Sequence, residues 1–228
     1  MRAIKDLFYL FFPERCFTCD ALLMKSENLT CTLCLHDLPF ANYTNLKGNN
    51  VEQSFYGRIP IFSATALLLF HKKGNVQQLI HLLKYKGKQE IGTYYGDWLG
   101  EELKNSDRFK SVEIVIPVPL HPKKLKQRGY NQVAEFGKSI AKILQIDYVD
   151  DKLIKVSATV SQTRKHRAER ARNVNEIFTL NDKNYFENKH ILLVDDVITT
   201  GVTLEVCCNE LLKTKGIQIS IAALSFTA

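Results

Sequence analysis

The chain has 228 residues, of which 45% are hydrophobic and 24% are charged, and its formal net charge is +7 at pH 7. This composition excludes a disordered or low-complexity chain, and the length supports one α/β domain with a small addition. No run approaches the roughly 20 consecutive apolar residues of a membrane helix. Residues 121–130 and 164–172 contain nine of the 31 basic residues and one acid. The positive charge is therefore local and indicates a polyanionic ligand rather than a generally basic protein.

The first twelve residues predict a short helix rather than a cleaved leader. Ile4, Leu7, Phe8 and Phe11 follow helical spacing. The apolar stretch is short, and no small-residue cleavage site follows it. We therefore expect this helix to dock on the body of a cytoplasmic protein that does not insert into a membrane.

Two C-x-x-C pairs come next, Cys16 with Cys19 and Cys31 with Cys34, eleven residues apart. Four thiolates at this spacing suit one tetrahedral zinc ion, which stabilises a segment too small for a hydrophobic core of its own. The alternatives are disulfides or a redox-active pair. A cytoplasmic location argues against the first, and the second lacks a strand before either pair. The pattern predicts a structural Zn²⁺ site.

The zinc finger is expected to be a scaffold rather than a nucleic-acid-binding module. Between its cysteine pairs lie one lysine, one aspartate and one glutamate, so this loop does not attract phosphate. The apolar side chains of the finger are interpreted as a surface that docks on the rest of the protein: Phe17, Leu22, Leu23, Met24 and Leu33. We predict two domains, the N-terminal helix and finger over 1–50 and a larger domain over 51–228.

The larger domain is expected to begin after a turn-rich linker at 35–60, with a strand near 61–70. A helix over 75–86 follows, and one face of it contains Val76, Leu79, Ile80 and Leu83. Its end is rich in lysine, at Lys84, Lys86 and Lys88, and these cations either compensate the helix dipole or meet a ligand. A second helix, 91–103, contains Trp98, which we predict to lie in the core.

A buried strand at 113–119 leads into a basic segment. Lys123, Lys124, Lys126 and Arg128 come before a helix that is predicted to begin near Gly129. A basic loop between the end of a strand and the start of a helix suits pyrophosphate. The alternative is an ordinary solvated loop.

A second cationic segment, 157–174, follows a strand at 152–156. It is polar and rich in arginine. We interpret it as a hood between two core strands that closes over a phosphate-rich ligand. The alternative is a charged surface helix.

The stretch 191–203 predicts a ligand site. Its apolar start indicates a strand that is buried on both faces. Asp195 and Asp196 follow at the carboxyl end of that strand, where open α/β sheets bind ligands. The turn after them contains Thr199, Thr200 and Gly201 and opens into a helix from about Val202 to Leu212. Hydroxyls and helix N–H groups beside two carboxylates suit a sugar phosphate, although a plain strand–turn–helix is the simpler reading.

Together these motifs resemble the ComF family of competence-related proteins, also called GntX-like. The resemblance covers nearly the whole chain and includes the cysteine finger, Lys84-Tyr-Lys-Gly87, Pro117-Val-Pro-Leu-His-Pro122, Arg128-Gly-Tyr-Asn-Gln132, residues 162–174 and the stretch 191–203. That last stretch also resembles the motif with which type I phosphoribosyltransferases hold phosphoribosyl pyrophosphate (PRPP). The implied fold is α/β, with a central, mainly parallel sheet flanked by helices and a small N-terminal four-cysteine zinc finger.

The resemblance also implies which residues bind PRPP together with Mg²⁺. Asp195 and Asp196 would be the catalytic residues and would meet the ribose. The 5′-phosphate would bind at Val197, Thr199, Thr200, Gly201 and Thr203. Pyrophosphate and the hood would involve Lys84, Lys123, Arg128, Gln162, Arg164, Arg167 and Arg170.

Two functions fit this resemblance. The first is Mg²⁺-dependent transfer of phosphoribosyl to an acceptor by a protein of natural transformation and DNA uptake. The second is a non-catalytic, PRPP-regulated protein that binds single-stranded DNA, with its basic segments along the backbone and exposed aromatic rings against the bases. The family further implies partners in the competence machinery, such as a helicase.

Overall fold

The structure is a computed structural model and describes residues 12–156 and 177–227. Its helices are α1 Thr32–His36, α2 Asn50–Gln53, α3 Asn75–Tyr85, α4 Glu90–Lys104, α5 Pro122–Arg128, α6 Ala134–Leu144 and α7 Val202–Leu211. Its strands are β1 Ser63–Phe70, β2 Ile114–Pro117, β3 Asp147–Tyr148, β4 Leu153–Val156, β5 Ile177–Leu180, β6 His190–Ile198 and β7 Gln218–Thr227. No helix within these two ranges is both long enough and apolar enough to cross a bilayer.

A five-stranded sheet forms the centre of the protein, with the strand order β1-β7-β6-β2-β3. Every pairing in it is parallel, so the carboxyl ends of its strands meet at one edge. Residues 190–194 of β6 are buried, as expected for a strand covered on both faces. The predicted parallel sheet flanked by helices is confirmed.

A hydrophobic core lies on each face of this sheet, because alternate residues of a strand point to opposite sides. Ile191 and Leu193 belong to one core together with residues of α2 and α7. Leu192 and Val194 belong to the other core, with residues of α3, α4 and α6. The central strand β6 is therefore fixed in register from both sides, and this fixes the residues at its carboxyl end as well.

Helices α4 and α6 pack unusually closely because glycines form the contact face of α4. A Cβ atom at Gly96 would lie 2.7 Å from the carbonyl oxygen of Phe136 and 2.8 Å from Cβ of Ser139. Gly92 and Gly100 face α6 in the same way. The spacing of three glycines four residues apart thus sets the distance between the two helices.

The cysteine finger contacts the body through α4 and the segment before it. The hydroxyls of Thr30 and Tyr95 lie 3.2 Å apart, and Lys88 Nζ lies 5.0 Å from the ring centroid of Phe17. The predicted docking surface is wrong in part, since Leu22, Met24 and Leu33 are exposed by 60%, 65% and 79%. Leu23 packs against the cysteines instead. A finger this small has no interior in which to bury all of its apolar side chains.

The segment 35–60, predicted as a linker, is instead built into the body. Val51 and Phe55, in and just after α2, are fully buried. Asn49 caps α2 by accepting from Glu52 N–H at 3.1 Å and donates to the carbonyl of Ala64 at 2.8 Å. Turn-forming residues here serve as caps and anchors. The division of the chain at residue 50 stays a prediction.

The basic segment after β2 is a helix, α5, and not the predicted loop. Pro122 occupies its first turn, and the His121 side chain accepts from Lys123 N–H at 3.2 Å. Gly129 ends this helix in a left-handed conformation with φ of +84°, and the next helix begins at Ala134. The helix start expected near Gly129 is therefore wrong, because a left-handed glycine terminates a helix.

The strands on either side of the predicted hood do not belong to the central sheet. β4 and β5 pair with each other in antiparallel fashion and form a separate two-stranded sheet. The expectation that the hood connects two core strands is therefore wrong. Two predicted segments lie outside the described residues. They are the N-terminal helix within 1–12, except residue 12, and the hood with Gln162, Arg164, Arg167 and Arg170.

Trp98, which was predicted to lie in the core, is half-buried and packs on Phe40 with ring centroids 4.7 Å apart.

Candidate functional site

The two adjacent aspartates lie at the carboxyl end of the central strand, but inside it. β6 continues to Ile198, because its pairing with β7 reaches the partners Ile198 and Phe226. Asp196 is buried, with 5% of its surface exposed, and Asp195 is half-buried. Asp195 Oδ1 accepts from the Asp196 N–H at 2.8 Å.

A lysine from α3 reaches the buried aspartate. Lys84 Nζ lies 3.0 Å from Asp196 Oδ2, and the two side chains are 24% and 6% exposed. The contact is an ion pair without hydrogen-bond geometry, and Asp196 Oδ2 has no hydrogen-bond partner within the described parts of the chain. Lys84 therefore belongs to the aspartate site, and compensation of the helix dipole does not account for its position.

The pKa of Asp195 is raised well above the ordinary value of an aspartate. Burial raises its pKa, and the negative charge of Asp196 raises it further, to about 8, against the opposing effects of an N–H from Asp196 and of Lys84 and Lys155. The cause is general: two neighbouring carboxylates with little water cannot both ionise cheaply. A ligand that brings hydrogen-bond donors or positive charge to Asp195 would favour its ionised form.

The threonine turn, residues 199–203, follows the strand directly and opens α7. Thr199, Thr200 and Val202 are exposed. Gly201 is left-handed, with φ of +71°, and a Cβ atom on it would lie 2.8 Å from Cε1 of the Phe55 ring. The turn is therefore pressed against Phe55 on one side and open on the other. Its open side offers two hydroxyls and the first N–H groups of α7, which suit an anion.

Of the two remaining residues proposed for the phosphate, Val197 precedes this turn and Thr203 is its last residue. Val197 is half-buried and packs against the core that contains α3, α4 and α6. Thr203 is half-buried in the first turn of α7. Both thus belong to the strand and helix that hold the turn, while Thr199 and Thr200 are its accessible hydroxyls.

A basic cavity of about 430 Å³ lies next to the aspartates. Its lining consists of cations, polar groups and two tyrosines: Lys84, Tyr85, Gly87, Lys124, Gln127, Arg128 and Tyr130. α5 contributes to it because β2, which precedes α5, is the direct neighbour of β6. The first cationic segment and the aspartate pair are thus at the same edge of the sheet, joined by Lys84.

Sequence reasoning and structure differ on which side chains line this basic cavity. Lys123 is exposed and does not line it, whereas the adjacent Lys124 does. Tyr85 is 67% exposed within it, and the Arg128 guanidinium carbon lies 5.5 Å from its ring centroid. Tyr85 was missed as a site residue, although it stands between two lysines in the sequence, because an exposed aromatic ring gives no pattern of its own.

The four cysteines come together in a geometry that suits a metal ion. Their sulfur atoms all lie within 4.8 Å of one another, and the sulfurs of Cys19 and Cys31 are 3.7 Å apart. A tetrahedral site with Zn–S bonds of about 2.3 Å requires sulfurs about 3.8 Å apart.

The thiol pKa values also fit a cation in this cluster. Burial raises the pKa of Cys16, but N–H groups from Cys31, Cys19 and Thr18 outweigh it and lower the value to about 6. Burial and the neighbouring thiols raise the pKa of Cys34. A cation among the sulfurs would favour the thiolate of Cys34 against this rise of its pKa, and a metal ion such as zinc fits the cluster.

A comparison with protein families and curated proteins supports the interpretation of the carboxyl edge of the central sheet as a ligand site. The family model of the phosphoribosyl transferase domain matches residues 134–227, which include β6, the threonine turn and α7. Competence protein F of Haemophilus influenzae is 27% identical over 91% of this chain and 94% of that protein. The DNA utilization protein YhgH of Escherichia coli K12 is 26% identical over 65% of this chain and 66% of its own length. Competence protein ComFC of Streptococcus pneumoniae is 29% identical, over 53% of this chain and 50% of that protein.

Solved phosphoribosyltransferases are more distant. The purine phosphoribosyltransferase of Pyrococcus horikoshii gives a TM-score of 0.38 at 19% identity, covering 62% of this chain and 75% of that one. The adenine phosphoribosyltransferase of Leishmania tarentolae gives a TM-score of 0.42 at 14% identity, covering 70% and 90%. Likenesses at this level add no weight, and the fold class rests on the parallel sheet and the family match.

Proposed function

Because the chain is a phosphoribosyltransferase-domain protein of the ComF family with the type I fold, we propose that it binds PRPP with Mg²⁺ and transfers the phosphoribosyl group to an acceptor. Asp195 and Asp196 meet the ribose hydroxyls, the threonine turn binds the 5′-phosphate, and the basic cavity takes the pyrophosphate. The printed names of the relatives, competence protein and DNA utilization protein, support a role in DNA uptake.

The observation that carries this proposal is the contact of Lys84 with Asp196 at 3.0 Å. PRPP needs acceptors for its ribose hydroxyls and cations for its pyrophosphate within the length of one small molecule. Lys84 both lines the basic cavity and contacts Asp196. Lysines of an ordinary basic surface stay in water, because moving a lysine to a buried carboxylate desolvates both groups at a cost.

The chemistry of transfer asks little of the protein beyond position and charge. The bond between C1 of the ribose and the pyrophosphate oxygen breaks, the pyrophosphate leaves with the bonding electrons, and a nucleophile of the acceptor bonds to C1. Lys84, Lys124 and Arg128 stabilise the negative charge that develops on the pyrophosphate. The threonine turn and the aspartates hold the ribose 5-phosphate so that attack occurs within one complex.

Two metal ions belong to the proposal. Mg²⁺ prefers carboxylate and phosphate oxygens, and the composition of the aspartate edge, with one half-buried carboxylate and one buried oxygen that lacks a donor, fits it. When bound with PRPP, this ion neutralises part of the pyrophosphate charge. Zn²⁺ is proposed at Cys16, Cys19, Cys31 and Cys34 as a structural ion, because all four ligands come from the protein and none remains for a substrate.

Tyr85 favours a second candidate, a PRPP-regulated protein that binds single-stranded DNA. Its ring is 67% exposed in a cavity with three cations, and exposed rings beside cations form stacking platforms for bases. Salt separates the two candidates. DNA held by several cations loses affinity steeply as salt rises, whereas PRPP binding depends chiefly on Mg²⁺ and the aspartates.

Titration calorimetry with Mg²⁺ and PRPP tests the proposal, using the wild type, Asp196→Asn and the matched control Asp107→Asn. Asp107 is exposed and lies before the amino end of β2, at the opposite edge of the sheet. Losing hydrogen bonds to a charged acceptor costs about 1.5–3 kcal/mol, so Asp196→Asn should weaken binding roughly 10- to 100-fold. Asp107→Asn should bind as the wild type does. Equal affinity in all three proteins would refute the site, and pyrophosphate release with candidate acceptors then tests turnover.

A further inference from the structure

Arg58 makes contacts with the threonine turn that no sequence motif indicates. It follows α2, far from the turn in sequence. Its Nη1 donates to the carbonyl oxygen of Thr200 at 2.8 Å and to that of Ser54 at 2.9 Å. Its Nε donates to Glu205 Oε2 at 3.0 Å, and Nη2 donates to the same oxygen. One guanidinium thus ties the end of α2 to the turn and to the first turns of α7.

The contact with Thr200 decides where the next N–H group points. In a planar trans peptide the C=O and the following N–H point in opposite directions. A Thr200 carbonyl held by Arg58 therefore turns the Gly201 N–H away from Arg58, toward the open side of the turn. If the peptide rotated, a carbonyl dipole would face the anion instead. The Phe55 ring lies on the same side of the turn as Arg58, because its Cε1 and Arg58 Nη1 are 2.8 Å and 3.6 Å from the position of a Gly201 Cβ atom.

Arg58 also neutralises a charge that a phosphate would oppose. Glu205 lies in the first turn of α7, close to the N–H groups that the phosphate would use. Its side chain is 28% exposed and that of Arg58 is 30% exposed, so water screens the pair only in part. Without Arg58, the Glu205 carboxylate would compete with a phosphate for the positive end of the helix.

We propose that Arg58 is a positioning residue for the 5′-phosphate, which orients the Thr200–Gly201 peptide toward the ligand and cancels the charge of Glu205. The inference rests on the proposed PRPP site. Arg58 does not touch the ligand itself, since it binds the turn from the side that faces Phe55 and α2. Its role is therefore specific to the phosphate end of the ligand and does not extend to the pyrophosphate end.

This specificity gives a test with two ligands. The affinities of ribose 5-phosphate and of Mg²⁺-pyrophosphate are measured by calorimetry for the wild type, Arg58→Met, Arg58→Lys and the matched control Lys213→Met. Lys213 pairs with Glu210 just beyond the other end of α7. Arg58→Met should weaken ribose 5-phosphate about tenfold and leave pyrophosphate unchanged. Arg58→Lys should fall between, because an ammonium keeps the charge but cannot reach all three acceptors.

A double variant and a structural measurement complete the test. Adding Glu205→Gln to Arg58→Met should recover part of the lost affinity, because it removes the uncompensated carboxylate. Amide hydrogen exchange in peptides that cover 199–203 should be faster in Arg58→Met and unchanged in Lys213→Met.

The outcomes separate this inference from the proposed function. If the wild type and Arg58→Met bind ribose 5-phosphate equally, Arg58 has no positioning role and the PRPP site stands. If Arg58→Met weakens both ligands equally and lowers the thermal midpoint, the residue is merely structural and the inference is overturned. If the wild type binds neither ligand, the proposed function fails, and the inference fails with it.

Discussion

Replacing Gly201 with alanine adds one methyl group at the tightest point of the threonine turn. Two costs follow. The residue has φ of +71°, and an L-residue in this left-handed region loses about 1–2 kcal/mol. The new Cβ atom would also lie 2.8 Å and 3.1 Å from Cε1 and Cζ of Phe55, and overpacking of this kind costs about 1–3 kcal/mol. We therefore expect Gly201→Ala to reduce the free energy of unfolding by about 2–5 kcal/mol.

Urea denaturation followed by fluorescence measures this loss, and two further variants divide it. Gly57→Ala is the matched control, because Gly57 has φ of +73° and nothing within 4 Å of its Cβ position. It should show the backbone cost alone, about 1–2 kcal/mol. Combining Gly201→Ala with Phe55→Leu should destabilise less than the sum of the single changes, by about 1 kcal/mol or more. Additive effects, or equal losses for Gly201→Ala and Gly57→Ala, would refute the packing argument.

Three further predictions concern packing, ionisation and metal. Gly96→Ala should lower the free energy of unfolding in urea by about 1–2 kcal/mol, because the gain in helix propensity offsets only part of the clash with Phe136; a stabilised variant would contradict this. Asp195 has a pKa raised to about 8 in the folded protein, whereas in the unfolded chain it loses its proton near pH 4. Between about pH 4 and pH 8 the free energy of unfolding of the wild type therefore falls as pH rises. Asp195→Asn should therefore gain thermal midpoint over the wild type up to about pH 8 and no more above it; a constant difference would argue against the raised pKa. Elemental analysis should find zinc in the wild type at one ion per chain and less in Cys34→Ser, with a lower thermal midpoint; full stability after chelation would contradict a structural role.

Elements set by local periodicity were predictable from the sequence. The apolar face of α3, with Val76, Leu79, Ile80 and Leu83, is buried as its spacing indicated. The apolar run 191–194 indicated the buried part of β6, because both faces of this strand are covered, whereas the continuation of β6 through the aspartates to Ile198 was not predicted. In each case the burial pattern repeats within a few residues, and a single sequence contains all of that information.

The pairing of β4 with β5 was not predictable in the same way. Short apolar segments look alike whether they lie in a central sheet or in a separate hairpin-like pair. The partner is chosen by contacts between residues 153–156 and 177–180, and periodicity is silent on which strand neighbours which. The same limit applies to the buried contact of Lys84 with Asp196, since nothing near either residue specifies the other.

The helix α5 was missed for a different reason, because its signals were present. A proline at the first helical position and a glycine just past the end are the usual boundary marks. Pro122 and Gly129 occupy these positions, yet the density of lysine between them indicated a loop. Charge describes what a segment can bind, and it carries little information on whether the backbone is helical.

A crystal structure of the protein with Mg²⁺ and PRPP tests the central claim most directly. The account predicts the 5′-phosphate against N–H groups and hydroxyls of the threonine turn and the ribose hydroxyls within hydrogen-bond distance of Asp195 and Asp196, about 2.5–3.0 Å. The pyrophosphate should lie on the side of Lys84. Electron density for PRPP at another edge of the sheet, with the threonine turn and both aspartates free of ligand, would contradict the account.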